Sequence, residues 1–146
     1  MINSRSLDDL NPLVAAKARD LVARCQAEGI DLLVTSTYRD QESQAKLYAQ
    51  GRTAPGRIVT NAKPGQSFHN WRVAFDVVPL RHGKPIWDTS GTNRLLWQQI
   101  GALGESVGLE WAGRWPKFRE LAHFQFTGGL TLADFQAWKL LTRASV

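Results

Sequence analysis

Ser67-Phe68-His69-Asn70-Trp71-Arg72-Val73-Ala74-Phe75-Asp76-Val77-Val78 carries the clearest structural signal in the chain. Its second half, Val73 to Leu80, is apolar and β-branched, which reads as a buried strand. Asp76 interrupts it. An unpaired carboxylate is costly to bury, so Asp76 requires a cationic partner or a metal. Arg72 and Arg39 are the available cations. His69 lies in the loop feeding the strand, seven residues before Asp76. A loop and the strand that follows it can bring two such side chains to one point.

Downstream, His123 lies in Glu120-Leu121-Ala122-His123-Phe124-Gln125-Phe126, where Ala122 to Phe126 reads as a further strand. Alternation sets His123 on one face with Leu121 and Gln125, opposite Ala122, Phe124 and Phe126. Two imidazoles and one carboxylate form a three-ligand set for a catalytic zinc, which leaves a fourth position for water. Glu120 is the natural base beside that water. The third histidine, His82, sits in the turn Leu80-Arg81-His82-Gly83 and reads as solvated.

The remaining chain supplies helices and short strands. Ser6 is an N-cap, with Asp8 and Asp9 in the first turn, for a helix whose periodic face is Leu10, Leu13, Val14, Ala18, Leu21, Val22 and Cys25. Gly29 ends it, and Asp31 to Thr37 is a buried strand. Asp40 caps a second helix running to Gly51. The segment from Gly51 to Gln66 is rich in Gly, Pro, Thr and Arg, and reads as a long functional loop. Gly83-Lys84-Pro85 is turn chemistry with a short strand before Trp87. Asn93 to Val107 is a third helix on Leu95, Leu96, Gln99, Ile100 and Leu103. Leu109 to Trp111 is a short strand, and Thr131 caps a last helix with Asp134 in the capping-box position. This order predicts an α+β fold: a small antiparallel sheet flanked by helices in a single domain, residues 1–146.

Composition narrows the function. The chain has 146 residues, 43% of them hydrophobic, so it is globular and long enough to bury a core. Its net charge of +5 suits an anionic partner, but the Lys and Arg residues are scattered and form no nucleic-acid tail. The single cysteine, Cys25, excludes an intrachain disulfide and reads as a structural thiol on an apolar face. The N-terminus lacks the apolar core of a signal peptide, and stable membrane insertion is not expected. The expected state is a monomer made in the cytoplasm.

Ser67-x-His69-x4-Ala74-x-Asp76 followed by Glu120-x-x-His123 resembles the zinc peptidases that cut peptidoglycan stem peptides. These are the D-alanyl-D-alanine carboxypeptidases and dipeptidases, and the phage L-alanyl-D-glutamate endopeptidases. Thr35-Ser36-Thr37-Tyr38-Arg39-Asp40, Gln44-x-x-Leu47-Tyr48 and Trp115-x-x-Phe118 are also similar to this family. The resemblance covers nearly the whole chain and looks most like the phage endolysin branch. It implies the D-Ala-D-Ala metallopeptidase/Hedgehog-like fold, with Zn2+ as cofactor. His69, Asp76 and His123 become ligands, Glu120 the base, and Arg39 and Ser67 substrate-binding residues. The implied substrate is the peptidoglycan stem peptide and the implied site of action is the cell wall, after release from the host cytoplasm. Alternatives are a D-Ala-D-Ala carboxypeptidase or dipeptidase, or an inactive cell-wall-binding module of the same fold. One position departs from the pattern: Arg72 stands where the family carries Gly, a residue that marks unusual torsions or close approach. Arg72 is expected to line the cleft and meet a substrate carboxylate. Trp71, Trp111 and Trp115 either wall that cleft or pack the core.

Overall fold

The strand announced by Val73–Leu80 is the centre of the molecule. In the computed structural model, which describes residues 1–144, β2 spans Ala74–Arg81 and pairs antiparallel with β1, Asp31–Ser36. On its other side β2 pairs with β5, His123–Gln125, which in turn pairs with β4, Glu110–Trp111. A two-residue β3, Lys84–Pro85, folds back on the end of β2. The sheet order is β1-β2-β5-β4, with all pairings antiparallel. The turn to β3 runs through His82 (φ 52°) and Gly83 (φ 74°). Two left-handed residues are what a two-residue hairpin needs to match strand twist.

Phe75, Val77 and Phe124 point to one face of the sheet. Two helices cover that face: α1, Pro12–Ala27, through Val14, Ala18, Leu21 and Cys25, and α3, Thr92–Ser106, through Ile100. Helix α3 approaches closely because it has glycines at the contact. A Cβ on Gly101 would stand 2.3 Å from the Trp111 ring, and one on Gly104 would stand 2.3 Å from Phe124. Phe124 stacks on Phe75 with ring centres 5.7 Å apart. The expected α+β architecture around a small antiparallel sheet is the observed one.

The opposite face carries Asp76 and His123. It is bordered by α2, Gln41–Ala49, and α4, Leu132–Ala144. Asp40 caps α2 by accepting from Ser43 N, and Thr131 and Asp134 cap α4 reciprocally. The first helix departs from expectation. Ser6 caps only a 3-10 turn, Leu7–Asp9, and α1 starts at Pro12 under an Asn11 cap. Proline at the first helical position sacrifices no hydrogen bond, so Asn11-Pro12 is the stronger start signal. Leu13 consequently faces solvent, at 55% exposure, rather than the core. Cys25 is buried, and burial, reinforced by the Glu28 charge, pushes its thiol up to about 11. It is a packing residue, as expected.

Candidate metal centre

Strand register builds half of the site. Asp76 and His123 are direct cross-strand partners in the β2–β5 pair, so their side chains emerge side by side on the same face. His69 arrives from a 3-10 turn, Phe68–Trp71. Ser67 caps this turn by accepting from His69 N, and the Asn70 side chain accepts from Ser67 N. Asn70 also donates to the Arg39 carbonyl, and Arg39 N donates to the His69 carbonyl. The turn is thereby tied to the segment leaving β1.

The three side chains converge. His69 Nε2 lies 3.3 Å from Asp76 Oδ1, and His123 Nδ1 lies 3.1 Å from the same oxygen. One ligand atom from each of the three falls within 4.8 Å of the others. A tetrahedral zinc with bonds of about 2 Å sets its donors about 3.3 Å apart, so this spacing suits one ion. Each imidazole is also held by its far nitrogen. His69 Nδ1 donates to the Thr37 carbonyl at 2.8 Å, which turns Nε2 toward Asp76. His123 Nε2 meets Gln125 Oε1 at 2.8 Å, which turns Nδ1 toward the centre. Metal-binding imidazoles are oriented in this way.

Electrostatics follow the geometry. Burial works to raise the Asp76 pKa, but hydrogen bonds from His123 and His69 and their charges outweigh it and hold the carboxyl well below the usual range. Burial works to lower the His123 pKa, yet Asp76 and, more weakly, Gln125 and Glu120 bring it above the usual value. The site therefore keeps a carboxylate ionised inside an apolar strand by facing it with two imidazoles. Arg72 and Arg39, the alternative partners for Asp76, form no ion pair with it among the described residues.

Glu120 is 61% exposed, with Oε2 3.7 Å from His123 Nδ1. Two clefts meet at this point. The larger, about 1100 Å3, and the smaller, about 420 Å3, share Asp76, Glu120 and His123 as walls. Arg39, Ser67 and Trp115 line the smaller cleft. The Arg39 guanidinium donates to Gln44 Oε1 at 2.9 Å and Ser36 Oγ at 3.1 Å, while its buried Nε has no hydrogen-bond partner. Burial lowers the Arg39 pKa, against the opposing charges of Asp76 and Glu120. Gln44, fully buried, also donates to the Ala62 carbonyl and so ties the 51–66 loop to the site.

The tryptophans divide. Trp115 lies 5.6 Å from the His123 ring and walls the smaller cleft. Trp111 is a core residue, 4% exposed, with its edge on the larger cleft. Trp71 stacks on Phe135 of α4. Arg72 corrects an expectation. Its backbone is left-handed, at φ 64°, which accounts for the family's Gly. Its side chain does not line either cleft: it donates to the Asp9 carbonyl and lies 3.8 Å over the Tyr38 ring. Sequence reasoning also passed over Gln125 and Gln44 as supporting residues. Alternation already put Gln125 on the His123 face, and that was the available signal.

Comparison with known proteins agrees with this arrangement. Residues 8–123 match the model of the VanY family, described as D-alanyl-D-alanine carboxypeptidase. The peptidoglycan L-alanyl-D-glutamate endopeptidase CwlK of Bacillus subtilis (strain 168) is 34% identical over 122 residues, 80% of this chain and 73% of that protein. The L-alanyl-D-glutamate peptidase of Listeria phage A118 is 31% identical over 127 residues, 84% of this chain but 41% of the phage protein. Among solved structures, the Serratia marcescens L-Ala D-Glu endopeptidase ChiX superposes with a TM-score of 0.61 at 19% identity, over 86% of this chain and 89% of that one. A vancomycin-resistance D,D-pentapeptidase VanY in complex with Zn(II) gives 0.60 at 15% identity, over 87% and 83%. At such identities the structural likeness speaks for the fold. The family match spans every residue from His69 to His123, and with the CwlK identity it assigns the lineage: the chain belongs to the VanY family of D-alanyl-D-alanine carboxypeptidases.

Proposed function

We propose that this chain is a zinc-dependent peptidoglycan peptidase that hydrolyses the L-alanyl-D-glutamate bond of the stem peptide. The observation that carries the reading is the convergence of His69 Nε2, Asp76 Oδ1 and His123 Nδ1 beside the shared wall of two clefts. The activity names of CwlK and of the phage peptidase support the bond assignment. His69, Asp76 and His123 are the residues that would hold zinc. When bound, zinc polarises the scissile carbonyl and lowers the pKa of water to about 7. Glu120 takes a proton from the attacking water and returns it to the departing amine. Arg39, on the wall of the smaller cleft, binds a carboxylate on the D-glutamate side of the bond. Ser67 acts mainly by capping the turn that presents His69, and its place in the smaller cleft allows a substrate contact. Trp115 closes the wall behind the reacting groups.

A second reading, D-Ala-D-Ala carboxypeptidase, is favoured by the description of the matched family. Purified protein incubated with peptidoglycan, with and without chelator, separates the two by mass spectrometry of the products. The endopeptidase reading expects fragments with a new amino-terminal D-glutamate and a wall that dissolves. Release of D-alanine alone from insoluble sacculi would replace it with the second reading. The phage relative supports a role in host lysis. Among the described residues no helix is long and apolar enough to cross a membrane.

A further inference from the structure

We infer that Glu110, acting through Gln125, dictates which nitrogen of His123 is presented to the metal. The inference rests on the zinc reading above, but concerns residues that reading does not use. Glu110 on β4 and Gln125 on β5 are cross-strand partners. Gln125 Nε2 donates to Glu110 Oε2 at 2.9 Å, and Thr127 Oγ1 donates to Glu110 Oε1 at 3.0 Å. A carboxylate only accepts hydrogen bonds. It therefore forces the NH2 end of the Gln125 amide outward, toward β4. The oxygen end must then face inward, where Gln125 Oε1 meets His123 Nε2 at 2.8 Å. An amide oxygen also only accepts, so Nε2 must carry a proton. The remaining nitrogen, Nδ1, is left as the donor atom 3.1 Å from Asp76 Oδ1. An ion taken up at Nδ1 displaces any proton shared there with Asp76 and leaves Nε2–H in place.

The chain of acceptor-only groups is what makes the direction unambiguous. Gln125 and Thr127 are 5% and 8% exposed, so although Glu110 itself faces solvent, both of its partners meet it from the protein side. The amide by itself can turn over, and an inverted amide would offer NH2 to His123 and favour the wrong tautomer. Glu110 removes that freedom from the outer end. Glu110 and Gln125 are thus positioning residues: they touch neither substrate nor ion, and act on His123.

The test compares zinc affinity, by competition with a chromophoric chelator, in the wild type and three variants. Glu110→Gln is isosteric and removes the acceptor-only outer end. Gln125→Leu removes the acceptor for Nε2–H. The double variant Glu110→Gln/Gln125→Glu exchanges the two groups, so that a carboxylate at position 125 accepts directly from Nε2–H. Both single variants are expected to bind zinc more weakly, by about 10- to 100-fold for Gln125→Leu, and the exchanged pair to recover most of the loss. Nitrogen-15 NMR of the zinc-loaded protein reads the hydrogen bond from His123 Nε2–H to Gln125: a signal protected from solvent exchange in wild type and exchanged pair, and exchanging faster in Glu110→Gln. Unfolding midpoints of the metal-free proteins report folding separately. Wild-type affinity and an unchanged Nε2–H signal in Glu110→Gln would overturn the inference while leaving the zinc reading intact. Absence of zinc binding by the wild type itself would overturn both.

Discussion

Asp76 shows how far one residue can be read from sequence. A carboxylate inside Val73–Val78 had to have partners, and the structure supplies two imidazoles at 3.3 and 3.1 Å. The choice between imidazole and arginine partners for Asp76 was not legible in sequence, because it depends on where Arg72 points. A left-handed backbone at Arg72 turns its guanidinium to Tyr38 and the Asp9 carbonyl. Two outcomes belong at this scale. Glu120 is exposed and its carboxylate makes only a 3.7 Å contact with His123, so Glu120→Ala should retain fold and zinc while turnover falls about 10^2- to 10^4-fold. Parallel measurement of zinc content and peptide release checks it, and near-normal turnover would remove Glu120 from the mechanism. The second outcome is pH dependence. Asp76 raises the His123 pKa above the usual imidazole range, and a protonated ring cannot ligate. Zinc affinity is therefore complete above that raised pKa and falls as pH drops through it, at about tenfold per unit for one displaced proton. Asp76 itself remains ionised, since its pKa lies well below the usual carboxylate range. Zinc titrations between about pH 8 and pH 5 follow this directly; constant affinity across the range would contradict it.

At the scale of elements, periodicity, caps and an apolar run located the four helices and the long strand, because each is a strong local signal. The cross-strand partnership of Asp76 with His123 was not available from those signals. β5 has three residues and β4 two, so their register is set by what packs behind them. Phe124 fixes it: the ring stacks on Phe75 and fits against the bare backbone of Gly104 on α3. Gly104→Ala tests this packing. Alanine improves helix propensity by about 1 kcal/mol, yet its Cβ would fall 2.3 Å from a fully buried ring. Overpacking of that kind costs about 1–3 kcal/mol, so the steric effect should win and the denaturation midpoint should drop. A stabilised variant would show that α3 does not set the position of β5. The late start of α1 has a similar lesson. Ser6-x-Asp8-Asp9 and Asn11-Pro12 are both good starts, and only the buried face from Val14 to Cys25 decides between them.

The whole molecule places its reaction centre where a long loop, two strands and a 3-10 turn meet. The segment 51–66 was recognisable as a long loop from composition, but its anchoring by the buried Gln44 was not, since that contact joins a helix to a loop through one side chain. Net charge is a property of the same scale. At +5, attraction to anionic cell-wall material should decline as salt shortens the screening length from about 30 Å at 0.01 M to about 8 Å at 0.15 M. Co-sedimentation with sacculi across that range measures it, and salt-independent binding would rule out general electrostatic attraction.

In the proposed site, His69, Asp76 and His123 meet on one zinc ion. Elemental analysis of the purified wild type beside His69→Ala, Asp76→Ala and His123→Ala tests it most directly. One zinc per wild-type chain is expected, with the metal lost from each correctly folded variant; a full complement of zinc in any of the three would contradict the site.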